Sequence, residues 1–256
     1  MYRRIHMIRG MSYPKGIFYM DKDHIAHAMI DQNGDIQTKV LPFDFPGLVF
    51  FIKRTLFTIP LYFLIGMIGL FLWIALQPGY PLFWIPLAAF GYHFIFPYTL
   101  KQYHGAEHKV FSHQGLKTYR SLNEIRRCNI VNRHCSTNGV VIFYLLFLLG
   151  FYPLGGNGAA LLGLAGVWLI PRWLIPLDTK VFFPISAFLQ RTVTTIEPNE
   201  AQLKVALLSY ISLIRKEPVS ESILLEEIRQ EEERKKEQLL KEERERVIRE
   251  TEWVEI

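Results

Sequence analysis

The fold class turns on residues 55–100, TLFTIPLYFLIGMIGLFLWIALQPGYPLFWIPLAAFGYHFIFPYTL, which contain no Asp, Glu, Lys or Arg in 46 positions. A second charge-free stretch runs from His134 to Pro171, 38 residues. One charged side chain at a bilayer centre costs about 2.5–3.5 kcal/mol on insertion scales, so charge segregated on this scale points to a chain that meets lipid and excludes a plain soluble fold. The overall composition, 256 residues, half of them apolar, 21% charged and net +5, conceals this. A helix rises about 1.5 Å per residue against a hydrocarbon core of about 30 Å, so each block is too long for one span. The first breaks at Gln77-Pro78-Gly79-Tyr80-Pro81 and the second at Pro153-Leu154-Gly155-Gly156-Asn157-Gly158, where proline and glycine favour tight turns. The expectation is an all-α polytopic membrane protein with four transmembrane helices as two hairpins: Thr55 to Leu76, Leu82 to Tyr98, Val140 to Tyr152 and Ala159 to about Leu177.

Working outward, basic residues cluster before the first span and between Lys101 and Arg133, and none lies in either tight turn. The positive-inside rule then puts both termini and the central loop on the cytoplasmic side of a bacterial plasma membrane, as a multi-pass protein. Residues 1–54 read as a small cytoplasmic β element, with His24 to Ile30 and Asp35 to Leu41 flanking Asn33-Gly34, a strong hairpin dipeptide. Residues 55–177 form the membrane part, with a loop over 99–138. Residues 178–215 read as an interfacial segment followed by an amphipathic helix from Asn199 to Ile214. Residues 216–256 form a long charged helix supported by i,i+4 pairs such as Glu231 with Lys235. The charge divides accordingly. Residues 1–215 hold 20 Lys and Arg against 10 Asp and Glu, and residues 216–256 hold 9 against 14. The basic part suits membrane lipids, a ribosome or another acidic partner, and the tail suits a membrane protein complex such as a translocon. Homo-oligomerisation is compatible with the same pattern.

The chemistry-bearing segment is Tyr103-His104-Gly105-Ala106-Glu107-His108-Lys109. On a helix His104 and His108 lie one turn apart on one face, the spacing at which two imidazoles chelate one metal. His-x-x-Glu-His is also the order of the inverzincin motif, in which the Glu serves as general base. Cys135 is expected at the same membrane depth and would suit zinc as a third ligand. Cys128, two turns earlier, would complete a two-Cys, two-His set. His93 would share the His104 face if Pro97 only kinked the helix. The competing interpretation is a metal-free polar network tying the loop to the membrane part.

The same segment resembles the YqhQ-like family of bacterial integral membrane proteins, described as predicted metal-dependent enzymes. The resemblance spans about residues 3–214, with Met7-Ile8-Arg9-Gly10, Cys135-Ser136-Thr137 and Thr194-Thr195-Ile196-Glu197-Pro198 in the family's order. The family's His before the cysteine is replaced by Asn132, with His134 two positions away, and the Arg of its last segment is Ile196. The resemblance implies a site with a divalent metal on His104, His108 and Cys135, Glu107 or Glu197 as fourth ligand or base, and Arg9 binding an anionic group.

Two functions follow. The first is a metal-dependent hydrolase at the membrane surface. The alternative is a non-enzymatic accessory or chaperone subunit of protein insertion or secretion machinery. A transporter is disfavoured because His93 is the one histidine between 55 and 100 or between 136 and 171, and no Asp, Glu, Lys or Arg lies there to serve an ion pathway.

Overall fold

The computed structural model describes residues 8–56, 58–77 and 79–252. Met7 of the N-terminal resemblance, Pro78 of the first turn, the side chains of Val247 and Ile248 and the end of the tail after 252 lie outside the described residues. Four strands come first: β1 (Arg9–Tyr13), β2 (Gly16–Met20), β3 (His24–Ile30) and β4 (Ile36–Pro42). The helices are α1 (Phe45–Leu56), α2 (Leu61–Leu76), α3 (Trp84–Gly91), α4 (Tyr98–Ser112), α5 (Leu122–Arg127), α6 (Ser136–Trp173), α7 (Ile175–Leu177), α8 (Phe183–Leu189), α9 (Glu200–Arg215) and α10 (Glu221–Glu252).

The strands form an antiparallel meander in the order β1-β2-β3-β4. Side chains alternate across a strand, so Tyr13, Phe18 and Ile25 face one way and Ile17, Tyr19, Ala26 and Ala28 the other. The first face is covered by Phe50 and Phe51 of α1. The second packs on α4, through Tyr103, Ala106 and Val110, and on α9, through Leu203, Ala206 and Leu207. The helix expected from Asn199 to Ile214 is α9, opened by a reciprocal Asn199–Gln202 capping box, and its apolar face packs into the core.

The chain is therefore a mixed α/β protein, which corrects the expectation of an all-α membrane protein with four spans. Among the described residues, α6 is long and apolar enough to cross a membrane, and α1 with α2 would add a second span only if that pair, bent by 97°, were counted as one. Proline explains the difference in the first block. Pro60 precedes α2, and Pro97 separates the 3-10 turn Tyr92–Ile95 from α4, so the apolar run is cut into α2 of 16 residues and α3 of 8. In the second block the break falls in the glycine-rich stretch where the turn was expected. Gly155, at φ 66° and ψ 172°, reverses α6 on itself, because only glycine takes this conformation without strain. The arms then pack antiparallel, with Gly163 against Phe143 and Gly166 against Leu146. The segment after α6 is half in and half out: Phe182 is buried, whereas Ile185 and Phe188 are exposed.

Helix α10 starts as a docked element and ends as a solvated one. Arg215 grips Glu227 through two bonds of 2.7 and 2.6 Å, Lys204 reaches Glu221 at 2.8 Å, and Leu224 is buried. Further along, Lys235 pairs with Glu231 at 2.6 Å, as the i,i+4 pattern predicted, and Leu239 and Leu240 are exposed.

One buried titratable group under α1 makes the sheet pH-sensitive. Tyr13 Oη lies 2.6 Å from His27 Nε2. Burial, reinforced by Arg54 and Lys39, lowers the His27 imidazole to about 3. The folded state thus refuses a proton that the unfolded chain accepts near pH 6.5, so this contribution is complete above pH 6.5 and is lost as pH falls toward 3. Denaturant unfolding at pH 7 and pH 5 is expected to show His27→Gln losing about 2 kcal/mol less than the wild type over that interval. Equal losses would rule out His27 as the source.

Candidate metal centre

Helix α4 is buried along most of its length, although it carries two imidazoles, a carboxylate and an ammonium. Neighbouring elements meet most of this polarity and leave Glu107 Oε2 and His108 Nε2 as its buried atoms without a hydrogen-bond partner. On β1 the alternation turns Gly10 and Ser12 toward α4, and Ser12 Oγ lies 3.0 Å from His104 Nδ1. Glu107 Oε2 stands 3.6 Å from the same nitrogen. Gly10 is what lets the carboxylate approach, since a Cβ there would lie 2.5 Å from Glu107 Oε1. The other ring nitrogen of His104, Nε2, faces Cys135 Sγ at 3.2 Å. His108 donates from Nδ1 to the Ile130 carbonyl at 2.5 Å, and its Nε2 is buried with no hydrogen-bond partner.

Both imidazoles are thus held through Nδ1 and present Nε2, the arrangement in which an outer partner fixes the tautomer of a metal-ligating histidine. One ligand atom each from His104, His108 and Cys135 lies within 4.8 Å of the others, and all three residues are buried. Ligands at the zinc distances of about 2.0 and 2.3 Å stand about 3.5 Å apart around a tetrahedral centre, so the cluster accepts such an ion with shifts of about an ångström. The donor set is two imidazoles and a thiol, which suits zinc, with one position left for water or substrate.

The electrostatics agree with a preformed anionic ligand. Burial works against the Cys135 thiolate, but His104 and His108 overcome it and hold the thiol well below its usual range. Cys135 also caps α6, its sulfur accepting from the Thr137 amide at 3.4 Å, where the helix dipole favours negative charge. Burial pushes the His104 imidazole down, and Cys135 with Glu107 more than reverses this, to about 10, so without an ion His104 is the imidazolium partner of the Cys135 thiolate and metal binding at its Nε2 must displace that proton. Burial likewise opposes the Glu107 carboxylate, which His104, His108 and Ser12 keep below the ordinary range.

Of the residues singled out from sequence, His104, Glu107, His108 and Cys135 come together. Glu197 does not: it is exposed and pairs with Lys109 at 3.0 Å. Arg9 is exposed on β1, on the alternate side of the strand from Gly10 and Ser12. Cys128 bonds the Glu124 carbonyl at 3.4 Å, and His134 is exposed. His93 is cut off from the α4 face by Pro97 but returns to the rim, its Nε2 3.0 Å from Ser136 Oγ. Sequence reasoning missed Ser12 and Lys109. The first could have been found from the two-residue alternation of β1. The second caps α5, its ammonium donating to the carbonyls of Arg126 and Cys128.

An α/β protein with a buried His-His-Cys cluster at the start of an apolar hairpin is the class defined so far. Residues 98–175 match the model of a family described as a protein of unknown function (DUF1385), and the matched span contains all three residues of the cluster. No curated protein and no solved structure matches the chain.

Gly105, which weakens α4 in isolation, has a packing role. A Cβ there would lie 2.3 Å from the Ile196 carbonyl oxygen, in the segment that bonds Lys101 through its backbone. Gly→Ala inside an exposed helix stabilises by about 1 kcal/mol. Gly105→Ala is expected to reverse that sign and destabilise by about 1–3 kcal/mol in urea unfolding. A stabilised variant would show that the close approach is dispensable.

Proposed function

We propose that the chain is a divalent-metal enzyme of the membrane surface, with zinc as the preferred ion and hydrolysis as the reaction class. The observation that carries the reading is His108 Nε2, buried and without a hydrogen-bond partner beside His104 Nε2 and Cys135 Sγ. Leaving such an atom unsatisfied costs about 1–3 kcal/mol, and a metal ion removes that cost. Bound there, the ion supplies Lewis-acid activation of a carbonyl or phosphoryl oxygen and of water. His104, His108 and Cys135 hold it. Glu107 acts on His104 rather than on the reacting atoms and is a positioning residue. The membrane part of the reading rests on the exposed apolar residues of α2, α6 and α8, among them Leu61, Ile65, Leu149, Leu161 and Phe188. With Lys and Arg absent from 55–100 and 134–171, the reading has the protein at the cytoplasmic face of a bacterial membrane, with lipid as its immediate partner. Kinship with the YqhQ-like family belongs to the same proposal.

A second reading uses Cys135 as a nucleophile, with His104 as its base and Glu107 orienting the imidazole. The 3.2 Å contact between His104 Nε2 and Cys135 Sγ favours it. It leaves His108 Nε2 unexplained.

Metal analysis of the purified full-length chain separates the two. One zinc per chain is expected in the wild type and none in His108→Ala or Cys135→Ala. Glu107→Gln is expected to bind about 10–100-fold more weakly in chelator competition, as for other outer-shell partners of ligating histidines. Glu197→Gln should bind as the wild type does. A wild type without metal, or a His108→Ala variant that retains full metal, would refute the metal reading. Hydrolytic activity that persists in metal-free His108→Ala and disappears in Cys135→Ala would establish the thiol reading instead.

A further inference from the structure

Helix α1 carries apolar side chains on two opposite faces. One face is covered: Phe50 and Phe51 pack on the sheet, and the Phe51 ring meets Phe18 edge-on with centroids 5.0 Å apart. The other face consists of Phe45, Leu48, Val49, Ile52 and Leu56, all exposed. Their helical spacing puts these five within an arc of about 100°, on the side opposite Phe50 and Phe51. A surface helix of a water-facing domain buries one apolar stripe and shows polar residues opposite, so the second stripe needs a cover of its own. Two observations say what that cover is. The first is charge: α1 holds no Asp or Glu, and Lys53 is exposed at the margin of the stripe. The second is direction. Beyond Pro60, α2 leaves at 97° to α1 with no charged residue, and Leu61, Ile65, Ile68 and Leu72 along it are exposed.

We infer that α1 is an in-plane membrane anchor: its exposed stripe lies among the upper acyl chains of a phospholipid bilayer, Lys53 meets the lipid phosphates, and α2 descends along the bilayer normal. An amphipathic helix in the interface buries its apolar face to the depth of the headgroup and acyl boundary and keeps its cations at the phosphates. With α1 in that plane, the right-angled bend turns the charge-free α2 into the hydrocarbon, where an uncharged helix with exposed apolar side chains is stable. The inference rests on the membrane part of the reading above and adds to it a surface that the reading does not use. Helix α1 is then a layer between protein and lipid, and it ties the sheet to the bilayer through Phe50 and Phe51.

The test places the photocrosslinker benzoylphenylalanine, which inserts into nearby C–H bonds, at Val49, Ile52, Arg54 or Leu161, one site at a time in the full-length chain. Val49 and Ile52 belong to the stripe, Arg54 lies on the Phe50 side of the same helix, and Leu161 is an exposed position of α6. Each variant is irradiated in nanodiscs of phosphatidylglycerol and phosphatidylcholine and in native membranes, and adducts are read by intact mass and on denaturing gels. Lipid adducts are expected at Val49, Ile52 and Leu161, with loss of the adduct at Arg54 and no protein crosslink at Val49 or Ile52. Lipid adducts at Leu161 but not at both Val49 and Ile52, or equal adducts at Arg54, overturn the inference and leave the membrane reading standing. A crosslink from Val49 or Ile52 to a second copy of the chain or to another protein does the same, because the stripe is then covered by protein. No lipid adduct at any of the four sites overturns the membrane reading, and the inference with it.

Discussion

Helix α4 imposes the constraint on which the rest of the molecule depends. It is packed against β1, α5 and α9 and meets the start of the apolar hairpin at Cys135, yet its buried residues include His104, Glu107, His108 and Lys109. Polar groups out of water must be partnered or they cost several kcal/mol, and here each partner comes from a different part of the chain. β1 supplies Ser12, the 128–130 turn supplies backbone carbonyls, and α6 supplies Cys135. The sheet, the central loop and the hairpin are therefore fixed relative to one another by the needs of a single helix. Gly10 and Gly105 mark where β1 and the Ile196 segment come closest to it.

Much of this was legible in the sequence where the physics is local. Asn33-Gly34 and the alternating runs beside it specified β3 and β4, the glycine-rich break specified the turn at Gly155, and the run beginning at Asn199 specified α9. The spacing of His104 and His108, with Cys135 on the same side, specified three members of the cluster. What could not be read is what depends on tertiary neighbours. A charge-free run looks alike whether it forms two full spans or, cut by Pro60 and Pro97, shorter helices. Hydropathy carried no sign that α9 would be core, because its apolar positions are those of any amphipathic helix. Glu197 and Arg9 share sequence order with the cluster but not its location: one is held by Lys109 on the surface and the other is placed outward by strand alternation.

The seam position of the cluster joins fold to chemistry. The polar half contributes the histidines with their Nδ1 partners, and the apolar half contributes a sulfur at the N-terminus of α6, where the helix dipole and the Thr137 amide favour its anion. Neither half holds the set alone. The acidic α10 stands apart from this, anchored on α9 by Lys204 near its start and Arg215 at its end, and it holds 12 of the chain's 24 Asp and Glu residues.

The central claim is that His104, His108 and Cys135 form one metal-binding unit. X-ray absorption at the zinc edge, on the full-length chain with one equivalent of zinc, addresses it most directly. The account predicts a first shell with one sulfur at about 2.3 Å and two histidine nitrogens at about 2.0–2.1 Å. A shell of oxygen and nitrogen without sulfur would contradict it.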